Sequence, residues 1–154
     1  MREPLEERLD RLSRQLRAAG GRVTSERLAI LRALAEDESH PSADTIYRRV
    51  VAELPSISLA TVYKTLATLQ GMGEVLELTA VRGESRYDGI RPEPHPHLIC
   101  TSCGRVADLA VDDVQALMHL AFPPAGQWHL TTRVDFWGLC PQCRAAASRG
   151  ARPQ

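Results

Sequence analysis

Residues 57–89 read ISLATVYKTLATLQGMGEVLELTAVRGESRYDG. Two periodicities meet in this stretch. Val62, Leu66 and Leu69 recur at three- and four-residue steps, the spacing of one helix face, and Ser58 stands where a hydroxyl caps a helix over 59–70. Gly71 and Gly73 close that helix. Then EVLELTAV (74–81) and ESRYDG (84–89) flank Arg82-Gly83, two β-rich runs around a glycine turn, which predicts a hairpin. Tyr63 lies one residue off the apolar stripe and is expected on the exposed face of the helix.

Working towards the N-terminus, Leu5, Leu9, Leu12 and Leu16 predict a helix over 5–19, stopped by Gly20-Gly21. Thr24 or Ser25 caps a second helix running to about Leu34, with Leu28, Leu31 and Leu34 inward. His40-Pro41-Ser42 is a loop, and Ser42 caps a third helix to about Leu54, with Asp44 favourable in its first turn and Pro55 ending it. Helices followed by a hairpin is the element order of a winged helix. From Arg8 to Arg32 there are seven arginines against Asp10 and Glu26, a local excess of five positive charges. That is either a solvated helical face or an electrostatic footprint on a phosphate backbone.

Towards the C-terminus, GIRPEPHPH (89–97) carries three prolines and a glycine and reads as a stiff linker. HLIC and RVADLAV read as strands, 112–121 as a helix, and HLTTRVDFWGLC as a strand, with a frayed tail from about Ala145. The 154 residues suffice for one ordinary domain or two small ones, and 44% hydrophobic residues argue against overall disorder. Net charge is zero and says nothing of partners. No apolar run approaches the ~18–20 residues of a membrane helix, and MREPLEERLD lacks a signal-peptide core. The expected location is the cytoplasm, where cysteines serve metals more often than disulfides.

Cys100-x-x-Cys103 and Cys140-x-x-Cys143 form two CxxC knuckles, with Gly104 after the first and Pro141 inside the second. Each tight turn aims two sulfurs inward, and two knuckles complete a tetrahedron around one zinc with no open position, so the site is structural. A redox-active CxxC is the competing reading. A second pattern is mixed. His95 and His97, two apart, face one side of an extended segment. Asp88 ends the hairpin, Asp108 follows the first knuckle, and His40 lies in the loop before the third helix. Each alone reads as an ordinary surface residue. No G-x-S-x-G, H-E-x-x-H or phosphate loop is present, and an enzymatic role is not expected.

These residues resemble the ferric uptake regulator (Fur) family. The resemblance rests on RVTSERLAIL, HPSADTIYRRV, ISLATVYKTLATLQGMGEV, RYD, HPHLICTSCGRVADL and WGLCPQC, in family order over about residues 12–143. It implies an α+β chain: a winged-helix DNA-binding domain over 1–88, a hinge at 89–96, an α/β dimerisation domain with structural zinc over 97–145, and a flexible tail at 146–154. It implies a homodimer on a palindromic double-stranded DNA operator, with no membrane and no small-molecule substrate. Helix 59–70 would enter the major groove, with Tyr63, Lys64, Thr61 and Thr65 as base or phosphate contacts and Arg17 and Arg22 on the backbone. His40, Asp88, His95, His97 and Asp108 would be the regulatory site. Three imidazoles and two carboxylates suit Fe(II) or Mn(II), and also Zn(II).

The sequence departs from the iron-uptake branch. Pro94 and Pro96 flank the H-x-H histidines, and Thr132 stands where that branch has a further histidine ligand, so a third metal site is not expected. His119 and His129 match no site. Asp108, where iron-uptake members usually have Glu, resembles the peroxide-sensing (PerR-like) branch. The resemblance thus implies a metal-dependent repressor sensing peroxide through iron-catalysed oxidation of its regulatory site. The alternatives are a repressor answering to iron, manganese or zinc sufficiency, and a metal-independent DNA-binding module stabilised by zinc.

Overall fold

The computed structural model describes residues 3–78, 83–109 and 133–150. The chain divides between Pro92 and Glu93 into two compact units. Residues 110–132 lie outside the described part, so the expected helix at 112–121, His119, His129 and Thr132 do too. Among the described residues, no helix is long and apolar enough to cross a membrane.

The first unit opens with α1 (Leu5–Ala18), α2 (Ser25–Ala35), α3 (Ala43–Val51) and α4 (Leu59–Gly71). Three starts are fixed by hydroxyl caps. Thr24 Oγ1 accepts from the Arg27 amide at 3.3 Å, Ser42 Oγ from Thr45 at 3.2 Å, and Ser58 Oγ from Thr61 at 3.1 Å. Each such cap contributes about 1 kcal/mol. Leu9 and Leu12 of α1, Ile30, Leu31 and Leu34 of α2, Ile46 and Val50 of α3, and Val62, Leu66 and Leu69 of α4 share one core. The third helix ends at Val51 rather than near Leu54. Pro55 disfavours helical dihedrals at the residue before it, and the Glu53 and Leu54 amides both turn back onto the Val50 carbonyl.

The end of α4 sets up the wing. Gly73 has φ +71°, a left-handed conformation open to glycine. Its amide donates to Gln70 and that of Glu74 to Leu69 at 2.9 Å, the paired bonds of a Schellman C-cap. The chain then enters β1 (Leu76–Leu78), which pairs antiparallel with β2 (Arg86–Asp88) in the register Leu76↔Asp88 and Leu78↔Arg86. Residues 79–82 of the expected hairpin are outside the described part. The other edge of β2 meets the loop before α3: Ser42 bridges to Arg86, and the Tyr87 amide donates to the Pro41 carbonyl at 3.0 Å.

Among the described residues, the second unit holds a three-stranded sheet followed by a helix. Strand β3 (His97–Cys100) runs antiparallel to β4 (Val106–Asp108) and parallel to β5 (Asp135–Gly138). The register sets His97 against Asp108 on one side and Asp135 on the other. Helix α5 spans Pro141–Gly150. Residues 146–150 are therefore helical, which corrects the expectation of a flexible tail from 146. Pro141 sits at the first helical position, where proline is favoured, and Ala145-Ala146-Ala147 are the strongest helix formers. Small residues there signal helix rather than fraying. Residues 151–154 are outside the described part.

Candidate metal centres and nucleic-acid interface

The first knuckle is the turn between β3 and β4. Gly104 takes φ +74° and its amide donates to the Cys100 carbonyl at 2.9 Å, folding Cys103 back towards Cys100. The second knuckle joins β5 to α5. Because β3 and β5 pair through Cys100↔Gly138, the two knuckles arrive side by side. All four sulfurs lie within 4.8 Å of one another. Cys103 Sγ and Cys140 Sγ are 3.8 Å apart, the edge of a tetrahedron whose metal–sulfur bonds are about 2.3 Å. Amides support the sulfurs: Cys140 N donates to Cys100 Sγ at 3.3 Å, and Cys143 N to Cys140 Sγ at 3.5 Å.

The backbone amides of Cys103 and Cys140 pull the Cys100 thiol down to about 6. The Ser102 hydroxyl lowers that of Cys143, but the neighbouring sulfurs win and push it up to about 11. Four sulfurs this close hold four negative charges only with a cation among them, and the all-thiolate set selects zinc. With four protein ligands the zinc site is closed, and its contribution is to folding.

Of the five residues of the expected regulatory site, two belong to the first unit and three to the second. In the first unit, Asp88 Oδ1 accepts the amides of Ile90 at 2.7 Å and Arg91 at 2.9 Å, while Oδ2 faces His40 Nε2 at 3.5 Å. Both residues are buried. Burial pushes the Asp88 carboxyl up, yet His40 and the two amides outweigh it and hold the group below its ordinary value. His40 has φ +54°, uncommon for a residue with a side chain. Such backbone strain concentrates at functional sites, and here the pairing of Pro41 and Ser42 with β2 holds it in place.

In the second unit, His95 Nδ1 donates to the Glu93 carbonyl at 2.8 Å. That bond puts the proton on Nδ1 and leaves Nε2 as a donor to metal, 3.1 Å from Asp108 Oδ1. His97 Nε2 lies 3.9 Å from the same oxygen. Two imidazoles converging on one carboxylate are a nitrogen/oxygen donor set that fits a divalent first-row metal. Sequence reading missed Asp135. Its Oδ1 lies 3.6 Å from His97 Nδ1, and Arg133 Nε donates to its other oxygen at 2.6 Å. The parallel register places it there, and no local sequence pattern announces that register.

On α4, Tyr63 is 52% exposed and Lys64 is exposed. Thr61 is half-buried, with its hydroxyl 2.9 Å from that of Ser58 at the helix start. Thr65 is a correction: it is 2% exposed, and its hydroxyl donates to the Thr61 carbonyl at 2.8 Å. Val62, Thr65, Leu66 and Leu69 are one stripe, and Thr65 belongs to the core side. The arginine excess is also partly consumed. Arg8 is buried, Arg11 grips Glu3 and Glu74, Arg32 lies 3.5 Å from Glu6, and Arg27 donates to the Arg22 carbonyl at 2.6 Å. Arg14, Arg17 and Arg22 are exposed.

A winged helix joined to a tetrathiolate-stapled sheet, with histidine–carboxylate pairs in each unit, defines a metal-responsive transcriptional regulator. The ferric uptake regulator family profile matches residues 18–131, and the chain belongs to that family. The peroxide-responsive repressor PerR of Staphylococcus aureus is 34% identical over 148 residues, covering 92% of this chain and 95% of that one. A structure of PerR from Streptococcus pyogenes, described as a basis for peroxide sensing and gene regulation, is 33% identical with TM-score 0.51, covering 88% and 92%. The Helicobacter pylori ferric uptake regulator, described as having three functional metal binding sites, superposes with TM-score 0.81 at 21% identity, covering 94% of this chain and 97% of that one, and shows the common fold. The fold is α+β, with the N-terminal DNA-binding and C-terminal dimerisation domains of the family.

Proposed function

We propose that the protein is a homodimeric, metal-dependent repressor that answers to hydrogen peroxide. One regulatory ion would be held by His40, Asp88, His95, His97 and Asp108, and a structural zinc by the four cysteines. The observation carrying this reading is the convergence of His95 Nε2 and His97 Nε2 on Asp108 Oδ1, at 3.1 and 3.9 Å. The Asp88–His40 pair at 3.5 Å supplies the same chemistry from the DNA-binding side. Resemblance to peroxide-responsive relatives adds to it.

The ligands come from both halves of the chain, so an ion binding them together favours one orientation of the winged helices over others. A ligand shifts such an equilibrium only through that difference in affinity. On DNA, Tyr63 offers its ring to thymine methyl groups and Lys64 reaches phosphates or base acceptors, while Arg17 and Arg22 face the backbone. A two-fold dimer reads a palindrome, which is the operator expected. The location expected is the cytoplasm.

Iron(II), when bound, supplies a reductant for hydrogen peroxide, which Mn(II) does poorly. His40 and His95 are the rings expected to gain oxygen; a ring so altered is a poor metal ligand and lets the orientation go. The test treats iron and manganese forms with low peroxide under identical conditions and maps peptides by mass spectrometry. The expected result is one added oxygen on a peptide containing His40 or His95, in the iron form only, in step with loss of DNA binding. Oxygen arriving first on the cysteine peptides, or no difference between metals, would make the protein a metal-sufficiency repressor instead.

A further inference from the structure

The hairpin of β1 and β2 is closed at its base by a side chain from a different element. Its terminal paired rung is Leu76↔Asp88. Beyond that rung stand Glu74 and Gly89, whose carbonyls need donors. Both receive one from Arg8 of α1: Nη1 donates to Gly89 and Nη2 to Glu74, the latter at 2.8 Å. The planar fork of a guanidinium suits this, since it presents two parallel donors at fixed separation.

Arg8 is out of place for helix packing alone. It sits on the leucine stripe of α1, between Leu5 and Leu12, and is 7% exposed. An apolar residue would fill that position without desolvating a charge. The charge is compensated instead by Glu74, whose carboxylate lies 3.7 Å from Nη2 and is also gripped by Arg11.

The two carbonyls it joins belong to different machinery. The Glu74 amide caps α4 through Leu69 at 2.9 Å. Gly89 is the middle of the turn in which Asp88 Oδ1 accepts from Ile90 and Arg91, while Oδ2 faces His40. The turn has no slack on its other side, because a Cβ on Gly89 would stand 2.7 Å from Leu34 Cβ.

We propose that Arg8 is a positioning residue that ties the Asp88 turn to the C-terminal end of α4, so that metal held by Asp88 orders the helix expected to read DNA. This rests on the reading of Asp88 as a regulatory ligand. The test uses the full chain with its cysteine site zinc-loaded, Mn(II) as probe, and hydrogen exchange by mass spectrometry. In the wild type, Mn(II) should slow exchange both at 83–91 and at 69–78. In Arg8→Met, which keeps the apolar stripe of α1, and in Arg8→Lys, whose donors share one nitrogen and form no planar fork, protection at 83–91 should persist. The Mn(II)-dependent slowing at 69–78 should fall at least fivefold, within the ~5–150-fold range of site-to-site couplings. Leu9→Ala, which loosens α1 without touching either carbonyl, should keep the wild-type response. Wild-type protection at 69–78 in Arg8→Lys and in any folded Arg8→Met overturns the proposal, and so does equal loss in Leu9→Ala. If Mn(II) changes nothing in the wild type, the regulatory reading of Asp88 fails first.

Discussion

Replacing Gly89 by alanine tests how closely the Asp88 turn packs on α2. No positive φ is involved, so backbone preference does not decide the outcome; space does. The added Cβ would stand 2.7 Å from Leu34 Cβ, 3.3 Å from the Leu34 carbonyl carbon and 3.4 Å from its oxygen. Carbon–carbon contacts are at rest near 3.5–4.0 Å, so about 1 Å must be found. None of the three atoms is the far end of a flexible side chain, and no rotamer change relieves them. Either α2 or the turn must move, and overpacking of this kind costs about 1–3 kcal/mol. At about 2–4 °C per kcal/mol for a chain of this size, a cost of about 2 kcal/mol lowers Tm by about 4–8 °C. Gly71 is the internal control. Nothing lies within 4 Å of its built Cβ, it is the last residue of α4, and alanine there should gain up to about 1 kcal/mol. The assay is thermal unfolding of the zinc-loaded protein followed by circular dichroism, with Mn(II) affinity measured in parallel. If the turn is the part that moves, Gly89→Ala weakens Mn(II) binding as well. Equal stability of the two variants would refute the close packing of the Asp88 turn on α2.

Cys140→Ser removes one of four thiolates and should release zinc and unfold the second unit, since metal affinity there is folding free energy; metal content and near-UV circular dichroism check it, and a dimer of normal stability would sink the zinc assignment. Tyr63→Ala should weaken binding at particular thymine positions, whereas Thr65→Val should leave DNA affinity unchanged, because the hydroxyl is turned into its own helix; operator titrations separate them. Asp135→Asn should lower Mn(II) affinity about 10–100-fold with zinc retained, and unchanged affinity would make Asp135 a bystander to His97. His97→Ala or Asp108→Ala should keep fold and zinc yet lose metal-stimulated binding, and full stimulation in both would move the sensor elsewhere.

Local patterns carried most of the architecture. The caps at Thr24, Ser42 and Ser58 and the leucine repeats located four helices, because each signal lies within one turn of what it controls. The cysteine pairs were equally plain, since two knuckles have few other uses. Pairings between distant segments were not legible. Arg8 looked like one more charge in a basic run, although its place on the leucine stripe already marked it as buried; its partners sit 66 and 81 residues away. Thr65 was misread because a hydroxyl on a recognition helix suggests a contact, while its i+3 spacing from Val62 put it inward. Asp135 became visible only with the parallel register of β3 and β5.

That parallel pairing bears on how the protein is made. Cys100 and Cys103 emerge first, and 36 residues separate them from Cys140. At about 5–20 residues per second, translation leaves the first pair waiting about 2–7 s for the second. During that interval two thiols stand as half a site, with nothing to complete their tetrahedron. A four-thiolate zinc site therefore waits for the second knuckle, which follows β5 and reaches into the first turn of α5.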